Sequence, residues 1–103
     1  MQPFGLTEFA EIDLAELWSF LALETTESFA SGFLKRLEAR YDQIRMFPFS
    51  GAPRPHLATG LRVLFHEKYG IYYFSNEQEI IIARILHGSR DLAAIADDGG
   101  FIA

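Results

Sequence analysis

The sequence predicts an α+β domain in which a short N-terminal strand and an α-helical hairpin pack on an antiparallel β-sheet, in the order β-α-α-β-β-β. Three observations predict it. Apolar residues recur at helical spacing in two runs before Phe47, separated only by Glu24-Thr25-Thr26-Glu27. Pro48 to Gly60 holds three prolines and two glycines and ends the helical pattern. Beyond it, β-branched and aromatic residues gather in three runs separated by hairpin-sized breaks.

Residues before Thr7 read as a short extended segment, in which Pro3 fits only at a strand start or an edge. Thr7 is a helix N-cap, with Glu8 and Glu11 placed to favour the positive helix end. Ala10, Leu14, Leu17, Trp18 and Leu21 form the apolar stripe of a first helix. Thr25 is the expected cap of a second, whose stripe is Ala30, Phe33, Leu34, Leu37, Tyr41 and Ile44 and which ends near Phe47. The short connection makes the pair an antiparallel hairpin. Strands are expected over Leu61–His66, Tyr69–Phe74 and Glu79–Leu86. Ile80-Ile81-Ile82 is apolar on both faces, as a central strand requires. Asp91 caps a short helix from Leu92 to Ala96, and residues 97–103, opening with Asp97-Asp98-Gly99-Gly100, read as a flexible tail.

One domain spanning 1–103 accommodates all of this, since 103 residues with half of them hydrophobic build one modest core. With no cysteine, disulfides and thiolate metal sites are excluded. The first residues carry no basic flank or long apolar run, and no window approaches the roughly 18 apolar residues of a membrane span, so the expected address is cytoplasmic. Net charge is −5, unevenly placed. No Lys or Arg precedes Lys35, and Glu8, Glu11, Asp13, Glu16, Glu24 and Glu27 suggest an acidic, solvated first helix. All the basic residues lie between Lys35 and Arg90, which places positive potential on the second helix and the sheet. The overall balance opposes a dedicated nucleic-acid binder.

Few residues can carry chemistry. By strand alternation, Arg62 shares a face with Leu64 and His66, and Arg84 with Ile80, Ile82 and Leu86. An arginine on an apolar face must pair with a carboxylate or carbonyls, or else face solvent or a partner. His87 and Arg90 follow the last strand, where His87 has the right type for a general acid or base. Arg54 sits between prolines in the loop. His56 and His66 have no metal-ligand spacing, and neither a metal nor a cofactor is expected. Phe9, Ile12, Phe20 and Leu23 lie off the first helix's stripe, an excess that another chain would cover, and Trp18 is a candidate contact beside them.

From Thr7 to Leu92 the chain resembles the ParE branch of the ParE/RelE toxin superfamily. Thr7-x-x-Ala10-x-x-Asp13-Leu14-x-x-Leu17-Trp18-x-Phe20-Leu21 looks like the family's first helix, and Phe33, Leu37 and Ile44-x-x-Phe47-Pro48 like its second. Gly51-x-Pro53-Arg54-Pro55-x-Leu57-x-x-Gly60-Leu61-Arg62 resembles the loop into the next strand. Tyr69-x-Ile71-x-Tyr73 and Ile85-Leu86-His87-Gly88-Ser89-Arg90-Asp91 resemble later strands. The resemblance implies the toxin of a type II toxin–antitoxin pair, held in a hetero-oligomer by a ParD-like ribbon-helix-helix antitoxin through which alone it meets operator DNA. It implies inhibition of DNA gyrase and growth arrest, with Trp18, Arg54, Arg62, Arg84, His87 and Arg90 as candidate target or partner contacts. The RelE-like alternative is a ribosome-dependent mRNA endoribonuclease using Arg62, Arg84, His87 and Arg90. A member that only binds antitoxin is a further alternative. No tyrosine follows Tyr73, and the acidic balance opposes entry to a phosphate-dense site. Both favour a protein-binding inhibitor over an enzyme.

Overall fold

The computed structural model describes residues 4–102, and Met1, Gln2, Pro3 and Ala103 lie outside them, so the placement of Pro3 is not addressed. The elements are β1 (Phe4–Leu6), α1 (Glu8–Glu24), α2 (Glu27–Met46), β2 (Ala52–Pro53), β3 (Arg62–His66), β4 (Tyr69–Ser75), β5 (Ile80–His87) and α3 (Leu92–Asp97). One five-stranded sheet has the order β1-β5-β4-β3-β2. The β3-β4-β5 meander is antiparallel, and β2 joins its outer edge antiparallel. β1 instead pairs parallel with β5, Phe4 opposite Ile80 and Leu6 opposite Ile82. The Ile80–Ile82 stretch is therefore flanked by strands on both sides, with Ile80 and Ile82 fully buried and Ile81 partly buried on the other face.

The helical hairpin packs on one face of the sheet, where Ala10, Leu17, Phe33, Leu37, Tyr41 and Ile44 meet Ile71, Tyr73, Ile80, Ile82 and Ile85. The opposite face has its own smaller core of Leu61, Val63, Tyr72, Ala83, Leu86 and Phe101. Thr7 performs the expected cap, accepting from the Ala10 amide at 3.1 Å. Its hydroxyl also donates to the Ala83 carbonyl at 2.7 Å, which ties the start of α1 to β5.

Several expectations change in detail. Thr25 does not open α2. Its amide and hydroxyl both return to the Leu21 carbonyl and close α1, while Thr26 caps α2 by accepting from the Phe29 amide. The Pro/Gly-rich loop contains the two-residue β2. Strict alternation fails in β5 because the register slips between Tyr72 and Tyr73: Tyr72 faces Arg84 and Tyr73 faces Ile82, leaving Ala83 as the extra residue. Ile80 and Ile82 consequently belong to the hairpin-side core and Leu86 to the other, so Arg84 does not share one face with all three. The segment after α3 is not a free tail over residues 98–102. Phe101 is 1% exposed and packs on Tyr72 at 5.1 Å between ring centroids. Gly99 takes the positive φ of 75° that turns the chain back toward the sheet.

Candidate functional site

The candidate residues separate into two groups. Arg84 lies where β1 has ended and α1 covers the edge of β5. Its guanidinium meets the Asp13 carboxylate with two hydrogen bonds, Nε to Oδ2 at 2.7 Å and Nη2 to Oδ1 at 2.9 Å. The same carboxylate accepts the Ile85 amide at 3.0 Å. Arg84 also donates to the Gly100 carbonyl at 3.2 Å and lies 5.1 Å from the Phe9 ring. Side-chain exposure is 5% for Asp13 and 11% for Arg84. This is a buried, two-pronged ion pair joining α1, β5 and the C-terminal segment. Asp13 had been grouped with the solvated acids of the first helix. Its position three after Ala10 and four before Leu17 places it at the edge of the buried stripe, and that spacing was the available signal.

Arg62 has a comparable duty on β3, two strands away from Arg84. Its Nη1 donates to the carbonyls of Phe49 and Gly51, at 3.2 and 2.8 Å, and the guanidinium lies 4.9 Å from the Phe49 ring. Tyr73 completes the clamp. Its hydroxyl donates to the Pro48 carbonyl at 2.7 Å and accepts from the Gly51 amide at 3.0 Å. Burial raises the Tyr73 pKa above the ordinary phenol value, opposed by the Gly51 hydrogen bond and by Arg62. Glycine is required at 51 because a Cβ there would lie 2.5 Å from the Tyr73 oxygen. The Arg54 guanidinium donates to its neighbour, the Pro53 carbonyl, and its amide closes the loop on Leu61.

His87 and Arg90 do come together. They line a groove of about 150 Å³ with Asp13, Glu16, Leu17, Phe20, Tyr69 and Ile85. Tyr69 packs edge-on against His87 at 5.2 Å, and burial raises its pKa above the ordinary phenol value. The Ser89 amide donates to His87 Nδ1 at 3.0 Å, so the neutral ring carries its proton on Nε2. The register aligns His66, Tyr69 and His87 at this end and Arg62, Tyr73 and Ile82 at the other. The four steps from Arg62 to His66 along β3 span about 13 Å of strand. Arg62, Arg84, His87 and Arg90 therefore do not converge on one reacting centre, and no group of three His, Asp or Glu residues fit to hold a metal occurs among the described residues.

A second feature runs along α1. Phe9, Ile12, Phe20 and Leu23 fall within roughly 80° of arc at 100° per residue, beside the buried stripe. They are 46%, 46%, 55% and 87% exposed. Trp18 lies on the other side of the helix, half-buried, its indole N–H donating to Ser31 of α2 at 3.1 Å. Trp18 thus fastens the hairpin, and the apolar excess faces outward as expected.

This helical hairpin on a β-meander, with its partly exposed first helix, matches the family model described as ParE toxin of type II toxin-antitoxin system, parDE, over residues 6–92. The chain belongs to the ParE toxin family. Toxin ParE3 of Caulobacter vibrioides is 35% identical over 65 residues, a match spanning 63% of this chain and 65% of that protein. Toxin ParE1 of the same organism is 27% identical over 94 residues, covering 91% of this chain and 97% of its own. Among solved structures, a chain of the chromosomal ParDE TA system from P. aeruginosa superposes with a TM-score of 0.73 at 21% identity, over 84% of this chain and 96% of that one. At that identity the likeness is one of fold. The ParE family match stops short of Gly100 and Phe101, so the contact that closes the second core lies outside it. No helix among the described residues is long and apolar enough to cross a membrane.

Proposed function

We propose that this ParE-type toxin acts in the cytoplasm by binding and inhibiting DNA gyrase, without chemistry of its own, and that a ParD-like antitoxin neutralises it. The observation that carries this reading is the commitment of Arg84 to Asp13. A nuclease needs cations free to meet phosphate as charge develops. Here Arg84 is neutralised inside the fold, and Arg62, two strands away, is bonded to loop carbonyls. The sheet face away from the hairpin is filled by Phe101 with Leu92, Ile95 and Leu57 packed around it, which supports a closed rather than a substrate-accepting surface. The exposed stripe of α1 is the kind of surface an antitoxin segment covers.

A supercoiling assay tests the reading. Purified protein should inhibit gyrase, and adding the ribbon-helix-helix protein encoded beside it should restore activity. Unimpaired supercoiling together with site-specific mRNA cleavage in arrested cells would replace this reading with the ribonuclease one. That alternative draws on the His87–Arg90–Tyr69 groove.

A further inference from the structure

One end of this acidic chain concentrates cations that no carboxylate neutralises. Lys68 sits at the β3–β4 turn, and its carbonyl accepts from the Gly88 amide at 2.8 Å, which seats the β5 exit and Arg90 beside it. On the other flank α2 brings Arg40, whose Nη2 donates to the Phe65 carbonyl at 3.2 Å. One turn earlier Arg36 lies over Phe29 and Phe33, at 5.8 and 5.9 Å from their centroids. A run of rings connects these flanks: Phe33 is edge-on to His66 and Tyr69, and Tyr69 to His87. Among the described residues the ion pairs are Arg45–Asp42, His66–Glu67 and Arg84–Asp13. Arg36, Arg40, Lys68 and Arg90 therefore have no carboxylate within 4.0 Å. The carboxylates at this end are mostly engaged: Glu67 lies 3.5 Å from His66, Asp13 on the groove wall is paired with Arg84, and Asp91 beside Arg90 caps α3, while Glu16 shares the groove wall.

We propose that this end docks an acidic segment of the antitoxin, with one apolar side chain in the groove between Leu17, Phe20, Tyr69 and Ile85 and carboxylates spread over Arg90, Lys68, Arg40 and Arg36. The inference rests on the antitoxin reading above and deepens it. Charge complementarity selects an acidic occupant. Phe20 belongs both to the groove and to the outward stripe of α1, so a segment covering that stripe leads directly onto the cations. A single-stranded nucleic acid fits less well. Binding it calls for a run of exposed ring faces on which successive bases stack, whereas Phe33, His66, Tyr69 and His87 meet edge to edge and the exposed rings Phe20, Phe29 and Phe65 stand on three separate elements.

The test uses full-length toxin and the triple variant R36E/K68E/R90E, with R36K/K68R/R90K as the charge-preserving control. Three probes are titrated: the ribbon-helix-helix protein encoded beside the toxin, a synthetic peptide of alternating glutamate and leucine, and oligouridylate. The charge-reversed variant should bind the antitoxin about tenfold or more weakly at about 50 mM salt, a gap that shrinks at about 500 mM as screening removes the attraction. The control should bind as the wild type does, and thermal melts should coincide for all three proteins. Equal antitoxin affinity of the wild type and the charge-reversed variant would overturn the proposal, as would charge-dependent binding of oligouridylate alone. If the neighbouring protein fails to bind wild type while the peptide binds in a charge-dependent way, the antitoxin reading falls and the acidic-segment surface stands. If neither binds, both fall.

Discussion

Replacing Asp13 by asparagine keeps the side chain's size and its acceptor for the Ile85 amide, and removes only the charge facing Arg84. The guanidinium then sits with a side chain 11% exposed, retaining the Gly100 carbonyl at 3.2 Å and the Phe9 ring at 5.1 Å. Removing one member of a buried pair costs about 3–5 kcal/mol, and the two surviving contacts place D13N near the lower end, at about 3 kcal/mol. Against a total stability of about 5–15 kcal/mol this is a large fraction, equivalent to a fall in Tm of roughly 12–24 °C for a domain of this size. R84M should cost a similar amount, because it leaves the Asp13 carboxylate with the Ile85 amide as its remaining partner. The double variant D13N/R84M has no buried charge at the site, so its loss should fall short of the sum by about 2 kcal/mol. Urea unfolding followed by circular dichroism measures all four corners of the cycle. Strict additivity, or a D13N cost below about 1 kcal/mol, would refute the claim that the pair is a buried, mutually dependent unit. The double variant also separates scaffold from site. Folded at the assay temperature, it should still arrest growth, and loss of arrest without loss of folding would return Arg84 to the functional surface.

The C-terminal segment should be structural: F101A, which removes a ring 1% exposed, should cost about 3–5 kcal/mol by chemical denaturation. Y73F should cost about 1–3 kcal/mol, because it strands the Gly51 amide and the Pro48 carbonyl. G51A should cost a similar 1–3 kcal/mol or so by forcing a methyl against the Tyr73 oxygen, and its loop should exchange amide protons faster than in wild type. W18A should cost less than a fully buried aromatic would, about 1–2 kcal/mol, since the indole is half-buried and joined to the exposed Ser31. Tyr41, Tyr69, Tyr72 and Tyr73 all have phenol pKa values raised by burial above the ordinary value of 10.0. The neutral form is thus favoured in the folded state, so their contribution to stability is complete below pH 10 and declines as pH rises from there through the folded-state values. Denaturant midpoints measured from pH 8 to 12 should be flat and then fall, and a rise above pH 10 would contradict the buried placement of these phenols.

The helices were legible because their periodicity and caps are local. Thr7 reads as an N-cap from its neighbours alone, and the structure gives it that role. Thr25 and Thr26 show the limit of such reading. Either hydroxyl can cap a following helix, and the choice depends on where α1 stops, which is fixed by Thr25 bonding back to Leu21. The parallel pairing of β1 with β5 and the extra residue at Ala83 were not legible, because each is a fact about two segments far apart in sequence. The bulge matters most. Alternation carried past it assigns Arg84 to the face of Ile80 and Ile82, whereas the slip lets the side chain reach Asp13 at the sheet edge.

The same limit decides what could be known of the site. A cation in an apolar strand demands compensation, which is legible in sequence, but the demand does not name the partner. Arg84 finds it 71 positions earlier, on a helix whose other acids, Glu8, Glu11, Glu16 and Glu24, are exposed. Arg62 finds it in carbonyls that Tyr73 holds in place. Once both are accounted for, the fold still leaves uncompensated the apolar stripe from Phe9 to Leu23 and the cations around Lys68 and Arg90, the surfaces proposed above for the antitoxin, as well as the exposed Met46, Phe47 and Phe49. What folding leaves unsatisfied depends on every internal pairing, and those pairings join residues far apart in sequence. The Gly51-to-Arg62 loop illustrates the consequence. Its conspicuous glycine and arginine serve the Tyr73 clamp, while Lys68, which no motif marked, stands at the centre of the unpaired charge.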